Sequence, residues 1–258
     1  MRTKTYFISD IHLGSPYHTD IKAVERRLVH WLEQCRSDAK AIYMVGDIFD
    51  YWFDYKYVVP RGYVRVLGTL ASLADEGVEI HIFTGNHDVW MFDYFEKELG
   101  AVIHRGPLVT EIDGKVFYIA HGDEFDFRKK GFRLVRKIFH SRVCQRLYAM
   151  IHPRWSVGLA QNLSQISRKK GLQRNNGYHD EYQGEKNEYL IQYAQSYMKS
   201  RPDQTVNFFI FGHRHIMLDL MLSRNSRAVI LGDWLHFFSY GVWDGESFYL
   251  DQYNFENT

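Results

Sequence analysis

Gly46-Asp47-Ile48-Phe49-Asp50 follows the apolar run Ala41-Ile42-Tyr43-Met44-Val45, so a carboxylate stands at the end of what reads as a buried strand. A short aspartate in that position can offer both oxygens to a pair of cations about 4 Å apart and offset their mutual repulsion. Taken singly, Gly-Asp after a strand is only a turn signal. Four more stretches are built the same way. Tyr6-Phe7-Ile8 runs into Ser9-Asp10-Ile11-His12, residues 78–83 run into Thr84-Gly85-Asn86-His87-Asp88, residues 115–120 into His121-Gly122-Asp123, and residues 206–211 into Gly212-His213-Arg214-His215.

Between these strands the apolar spacing changes to three and four. It predicts helices at about residues 20–36 (Val24, Leu28, Trp31 and Leu32 on one face), 62–76 (Val66, Leu67, Leu70 and Leu73, ending at Gly77) and 89–99. Asp113-Gly114 and Asp244-Gly245 read as hairpin turns, and strands at about residues 228–231, 237–243 and 247–253 finish the chain. Short apolar strands alternating with amphipathic helices indicate an α/β layered sheet covered on both faces. Ligands of open α/β sheets bind at the strands' carboxyl ends, where all five polar motifs fall.

With 258 residues, 45% hydrophobic and 24% charged, the chain can bury a large core as one domain or as a domain with an insert. No run approaches the roughly 18 apolar residues of a membrane span, and no signal-peptide core precedes the first strand, so a cytoplasmic protein is expected. Cys35 and Cys144 lack metal or redox spacing and read as reduced thiols. The net charge of +1 conceals a segregation: residues 127–179 hold thirteen Lys and Arg and no Asp or Glu, leaving 19 bases against 31 acids elsewhere, a balance of −12. A basic part of that kind calls for an anionic partner.

Asp10, His12, Asp47, Asn86, His121, His213 and His215 make seven nitrogen and oxygen donors without a thiolate. That set suits a pair of divalent ions, Mn²⁺ first, with Fe or Zn as other candidates, better than a cysteine-rich structural zinc site. A lone histidine at a strand end is usually just a satisfied side chain. Five metal-suited motifs, each directly after an apolar run, reverse that expectation.

In this order the motifs resemble those of the calcineurin-like metallophosphoesterase family, over the whole chain outside the basic stretch. The resemblance implies a layered β-sandwich core flanked by helices, formed by residues 1–124 and 202–258, with a basic helical cap inserted at 125–201. It implies one ion held by Asp10, His12, Asp47 and His215 and a second by Asp47, Asn86, His121 and His213. It makes His87 the proton donor to the leaving oxygen or a clamp on the phosphate, oriented by Asp50.

Within the family, Gly46 to Trp52, Leu231-Gly232-Asp233-Trp234 and the order core, basic insert, core resemble the UDP-2,3-diacylglucosamine pyrophosphatases of lipid A synthesis. The chain departs from the best-known branch in having His87 where an Arg is usual, and Gly-His-Arg-His-Ile-Met for Gly-His-Thr-His-Arg-Pro. The implied substrate is a UDP-acyl-sugar, gripped by Asn86, His87, His213 and, in the cap, Arg128, Ser167 and Lys170. Gly232-Asp233 carries no ligand in the family and reads as a turn.

The insert adds a physical argument of its own. Phe132, Val135, Phe139, Val143, Leu147 and Ile151 form one stripe among basic faces, which suits an anionic inner-membrane surface and a peripheral location. No protein partner is expected, and nucleic acid is a weaker candidate than lipid. Competing readings are a phosphodiesterase or phosphatase on another nucleotide or nucleic acid, or a metal-binding scaffold without catalysis. The second would be expected to have lost ligands or His87.

Overall fold

The computed structural model describes residues 2–16, 18, 20–126, 136–156, 158, 181–182 and 184–255. Two sheets pack face to face. In the first, β1 (Lys4–Ile8), β2 (Ala39–Val45), β3 (Glu79–Phe83) and β4 (Val102–His104) run parallel, and β10 (Ser239–Trp243) and β11 (Phe248–Gln252) add antiparallel strands beside β1. In the second, β6 (Lys115–Ala120), β7 (Phe208–Phe211) and β9 (Ser226–Leu231) run parallel, flanked by antiparallel β5 (Leu108–Ile112) and β8 (Met217–Ser223).

Strand alternation sorts the side chains into layers. Phe7, Tyr43, Val45 and Phe83 of the first sheet meet Phe117, Phe208, Ile210 and Val229 of the second in a buried middle layer. The opposite face of the first sheet, with Ile42, Met44, Ile80 and Ile82, is covered by α1 (Ile21–Cys35), α2 (Val64–Asp75) and α3 (Tyr94–Leu99) through Leu28, Trp31, Leu70, Leu73 and Phe95. Cys35 is buried in this layer. The outer face of the second sheet is covered by α5 (Tyr189–Ser200), whose Leu190, Ile191 and Ala194 pack on Tyr118, Phe209 and Ile230. That helix belongs to the span expected as an insert, yet its buried face lies on the sheet. A further helix, α4 (Arg142–Ala149), buries none of its residues, and residues 136–139 and 153–156 on either side of it are also helical.

Most predicted elements stand within two residues of their expected ends, and two differences have physical causes. The helix expected at 89–99 begins only at Tyr94, because the buried Asp54 carboxylate accepts the N–H groups of Phe92 (2.6 Å), Asp93 (3.1 Å) and Tyr94 (3.2 Å). Trp90, within that span, instead bridges to Phe53. The strand β8 went unread because its alternation is weak and one side of it is exposed. Both hairpins form as read: Asp113 (φ 48°) and Gly114 (φ 75°) carry the paired positive φ of the tight β5–β6 turn, and Gly245 (φ 100°) sits between β10 and β11.

A histidine and aspartate cluster at the strand ends

The loops after β1, β2, β3, β6 and β7 converge on one edge of the sandwich. Asp10, His12, Asp47 and His121 are buried there, with His213 and His215 beside them. Three groups of donor atoms lie close enough to share a cation: Asp10 with His12 and His215, Asp47 with His121 and His213, and His12 with Asp47 and His87. His215 Nε2 is 3.4 Å from Asp10 Oδ1, and His121 Nε2 is 3.4 Å from Asp47 Oδ2. His12 Nε2 stands 3.8 Å from both Asp10 Oδ1 and Asp47 Oδ2. Asp47 and His12 each belong to two of these groups, and Asp47 is the carboxylate that does so.

The backbone is strained to bring these groups together. Asp10, His12, Asp47, His213 and His215 all take positive φ, between 50° and 66°, a region that costs a non-glycine residue on the order of 1 kcal/mol or more. Gly85 makes room for the cluster, since a Cβ at that position would fall 2.2 Å from Asp47 Oδ1.

Polar contacts behind the donors fix their directions. His121 Nδ1 sits 2.9 Å from the Val45 carbonyl, which points Nε2 toward Asp47. His213 N–H donates to Asp10 Oδ2 (2.8 Å) and His87 N–H to Asp47 Oδ1 (2.8 Å). Asp88, fully buried, accepts the N–H groups of Gly85 (2.8 Å), Ile48 (2.8 Å) and Phe49 (3.2 Å), and so ties the loop after β3 to the loop after β2. Asp50 lies between two imidazoles, its Oδ1 3.6 Å from His87 Nδ1 and 3.7 Å from His12 Nδ1. Its carbonyl lies nearer to His87 Nδ1, at 3.2 Å.

Asp233, read from the sequence as a turn residue, has two functions. Its Oδ1 accepts the N–H groups of Leu235, His236 and Phe237, and its Oδ2 lies 3.0 Å from His215 Nδ1. Burial opposes its charge, but the His215 contact outweighs that and brings its pKa down to about 2. Carboxylate–histidine contacts of this type set the tautomer and direction of a metal-binding ring. Asp88, the last residue of the third motif, and Asp233, read as a turn, are not among the expected donors; each bears on the site through backbone N–H groups or another side chain.

The electrostatics suit cations. Burial opposes ionisation of Asp47, yet the imidazoles of His121, His87 and His12 outweigh it and hold the carboxyl well below its ordinary range. Burial, followed by the neighbouring His121, pushes His213 down to about 3, so its ring is a neutral donor. Buried Asp10 Oδ1 and Asn86 Oδ1 have no hydrogen-bond partner among the described residues, a cost that a bound cation would remove. The donors present therefore fit divalent metals of oxygen and nitrogen preference.

Of the cap residues expected to touch substrate, Arg128, Ser167 and Lys170 lie outside the described residues, as do Phe132 and Val135 of the apolar stripe. The rest of the stripe divides. Phe139 packs on Trp90, with ring centroids 5.0 Å apart, whereas Val143 (64% exposed), Leu147 (59%) and Ile151 (38%) face outward. Polar contacts hold the cap to the core loops, among them Trp90 Nε1–H to the Phe139 carbonyl (2.9 Å), Tyr51 Oη to Tyr148 Oη (3.1 Å), Tyr55 Oη to Ser156 Oγ (2.5 Å) and Arg136 Nε–H to Asp123 Oδ2 (2.9 Å).

Residues 3–217 match the family model of the calcineurin-like phosphoesterases. The UDP-2,3-diacylglucosamine hydrolase of Porphyromonas gingivalis is 49% identical over 259 residues, spanning 97% of this chain and 98% of that protein. The hydrolase of the same name from Neisseria meningitidis serogroup A is 29% identical over 163 residues, 63% of this chain and 66% of that protein. Among solved structures, Yfce, a phosphoesterase from E. coli, covers 95% of this chain with 90% of its own at 14% identity; its TM-score of 0.45 is too low to add weight.

Proposed function

The chain belongs to the calcineurin-like phosphoesterase family, and on that premise we propose that it hydrolyses the pyrophosphate bond of UDP-2,3-diacylglucosamine to UMP and the diacylglucosamine 1-phosphate, lipid X. The observation that carries this reading is the 49% identity to a hydrolase of that name across nearly the full length of both chains. The other relative matches about two thirds of each chain, so the near-complete match has most of the weight.

In this reading Asp10, His12, Asp47 and His215 hold one divalent cation and Asp47, Asn86, His121 and His213 the other, with Mn²⁺ the proposed metal. Bound there, the pair supplies Lewis acidity toward the phosphoryl oxygens and an acidified water for in-line attack. The chain's own groups do the rest. Asp47 is stiffened by the His87 N–H, and Asp88 and Asp233 fix the loops and His215 behind it. His87, its Nδ1 steadied by Asp50, passes a proton from Nε2 to the leaving phosphate oxygen as the P–O bond breaks. Arg128, Ser167 and Lys170 would grip the substrate from the cap.

Residues 1–124 and 202–258 are proposed as the catalytic core and 125–201 as the cap, with α5 serving the core's second sheet. No described helix is long and apolar enough to cross a membrane. Exposed Val143, Leu147, Met150 and Trp155 beside Arg142, Arg146 and Arg154 support a peripheral location on an anionic inner-membrane surface, facing the cytoplasm.

A test in cells is complementation. A Gram-negative bacterium depleted of its own UDP-2,3-diacylglucosamine hydrolase should regain growth when it expresses this chain and not when it expresses Asp47→Asn. Accumulation of UDP-2,3-diacylglucosamine despite stable expression of the wild type would refute the assignment.

A further inference from the structure

A cavity of about 360 Å³ opens between the core and the cap, with Thr84, Phe92, Arg105, His140, Arg142 and Gln145 in its wall. A smaller cavity against Gly85 and His121 shares Thr84, Arg105 and His140 with it, so the larger space adjoins the loops that carry the donor cluster. We propose that this cavity holds the nucleoside monophosphate half of the substrate, with ribose and base between core and cap and the phosphate toward the donor cluster. The inference rests on the reading of the substrate as a UDP-sugar lipid and assigns one of its two halves to a place in the fold.

The wall is divided between polar groups, two guanidinium groups among them, and the apolar side chains of Val89 and Phe92. An acyl chain would forfeit apolar contact against the polar part, whereas a phosphorylated ribose gains charge-assisted hydrogen bonds. Val89 and Phe92 of the wall belong to the apolar cluster in which Tyr51, Phe53 and Trp90 pack with Phe139 and Tyr148, and they offer the base a surface to lie on. The volume falls near the lower end of the roughly 300–1,000 Å³ typical of small-molecule sites, the size a single nucleotide needs.

The polar groups are also arranged for recognition. Arg105 is fixed by hydrogen bonds from its Nη2 to the carbonyls of Phe92 and Met91 and by a long ion pair with Glu96 (3.9 Å), which together hold its guanidinium at the cavity wall. Arg142 is exposed and has no ion pair or hydrogen bond among the described residues. Gln145 donates its Nε2–H to the Phe139 carbonyl at 2.8 Å, which fixes the carboxamide and assigns Oε1 as an acceptor for a pyrimidine N3–H. The Phe92 ring, held edge to face by Phe53 at 5.7 Å, adds apolar surface for the base. Burial, followed by the nearby Arg136 charge, lowers the pKa of His140 and so favours the neutral ring in the wall.

The test is inhibition by UMP, with turnover of bis-p-nitrophenyl phosphate in Mn²⁺ as the readout and inorganic phosphate as a control ligand. Wild type is compared with Arg142→Ala and Gln145→Leu, both on the outward part of the cap. The Ki for UMP should rise tenfold or more in each variant, while that for phosphate changes less than twofold. An unmoved UMP Ki in both variants overturns the assignment, as does a parallel loss for UMP and phosphate, which would place the effect at the donor cluster. UMP release from UDP-2,3-diacylglucosamine is measured separately. Release by the wild type with an unmoved Ki removes the cavity assignment alone, whereas a wild type that neither releases UMP nor is inhibited by it removes the substrate reading as well.

Discussion

Asp47 concentrates the site's chemistry in one side chain, because it faces both histidine groups and accepts the His87 N–H. Replacing it with Asn keeps the shape and removes the charge that the proposed pair of cations would share. Turnover should fall at least about a thousandfold and metal content, read by elemental analysis, should drop below two ions per chain. Asp233→Asn should act more weakly, since it perturbs His215 from behind: metal affinity or activity falls roughly 10–100-fold with the fold intact by circular dichroism. Gly85→Ala places a methyl 2.2 Å from Asp47 Oδ1, so it should abolish activity even where the protein folds. Unchanged metal binding in that variant would contradict the packing at Gly85. The stretches that carry the seven expected donors were legible in the sequence because each follows an apolar run, and the fold brings those stretches to one edge. The supporting roles of Asp54, Asp88 and Asp233 were not, because which backbone N–H groups or imidazole a carboxylate will face leaves no spacing to read.

At the scale of elements, alternation of apolar strands and amphipathic helices gave most of the order, since buried parallel strands carry nearly continuous apolar runs. It failed where a tertiary contact set a boundary, as at the start of α3, and where an edge strand such as β8 is half solvated. The sheet edge at β3 and β4 carries a pH dependence of its own. His81 Nδ1 and His104 Nε2 are 3.0 Å apart, His81 stacks on Tyr43 at 4.2 Å and His104 on Phe83 at 4.5 Å. Burial lowers the pKa of both rings, that of His104 to about 4 with His81 adding to the effect. With folded values below the unfolded value of about 6.5, the pair contributes its full stability above that pH and loses it as the pH falls toward 4. After allowance for the half-exposed His104 the loss is about 1–2 kcal/mol. Chemical denaturation between pH 7 and pH 4 should show it, and His104→Gln should flatten the slope. An equal slope in that variant would assign the effect to other groups.

Across the whole molecule, charge is divided between an acidic remainder and a basic stretch, and the described part of that stretch turns Val143, Leu147, Met150 and Trp155 outward while Phe139 packs inward. The sequence could give that stripe a helical spacing but could show neither the break at Ser141 nor which way each part faced, because apolar spacing is the same for a face against the core and a face toward lipid. Sedimentation with vesicles should show binding that requires anionic lipid and weakens from 50 to 300 mM salt. Leu147→Glu together with Trp155→Ala should reduce it at least tenfold, and binding to neutral vesicles that ignores salt would contradict a charge-led surface. The most direct test of the proposed hydrolysis is UMP release from UDP-2,3-diacylglucosamine by the purified protein in detergent with Mn²⁺, read against Asp47→Asn and against bis-p-nitrophenyl phosphate. Rapid stoichiometric UMP release that disappears with Asp47→Asn and with chelation of the metal is the predicted result. Turnover of the generic diester with no UMP from the lipid nucleotide would contradict it.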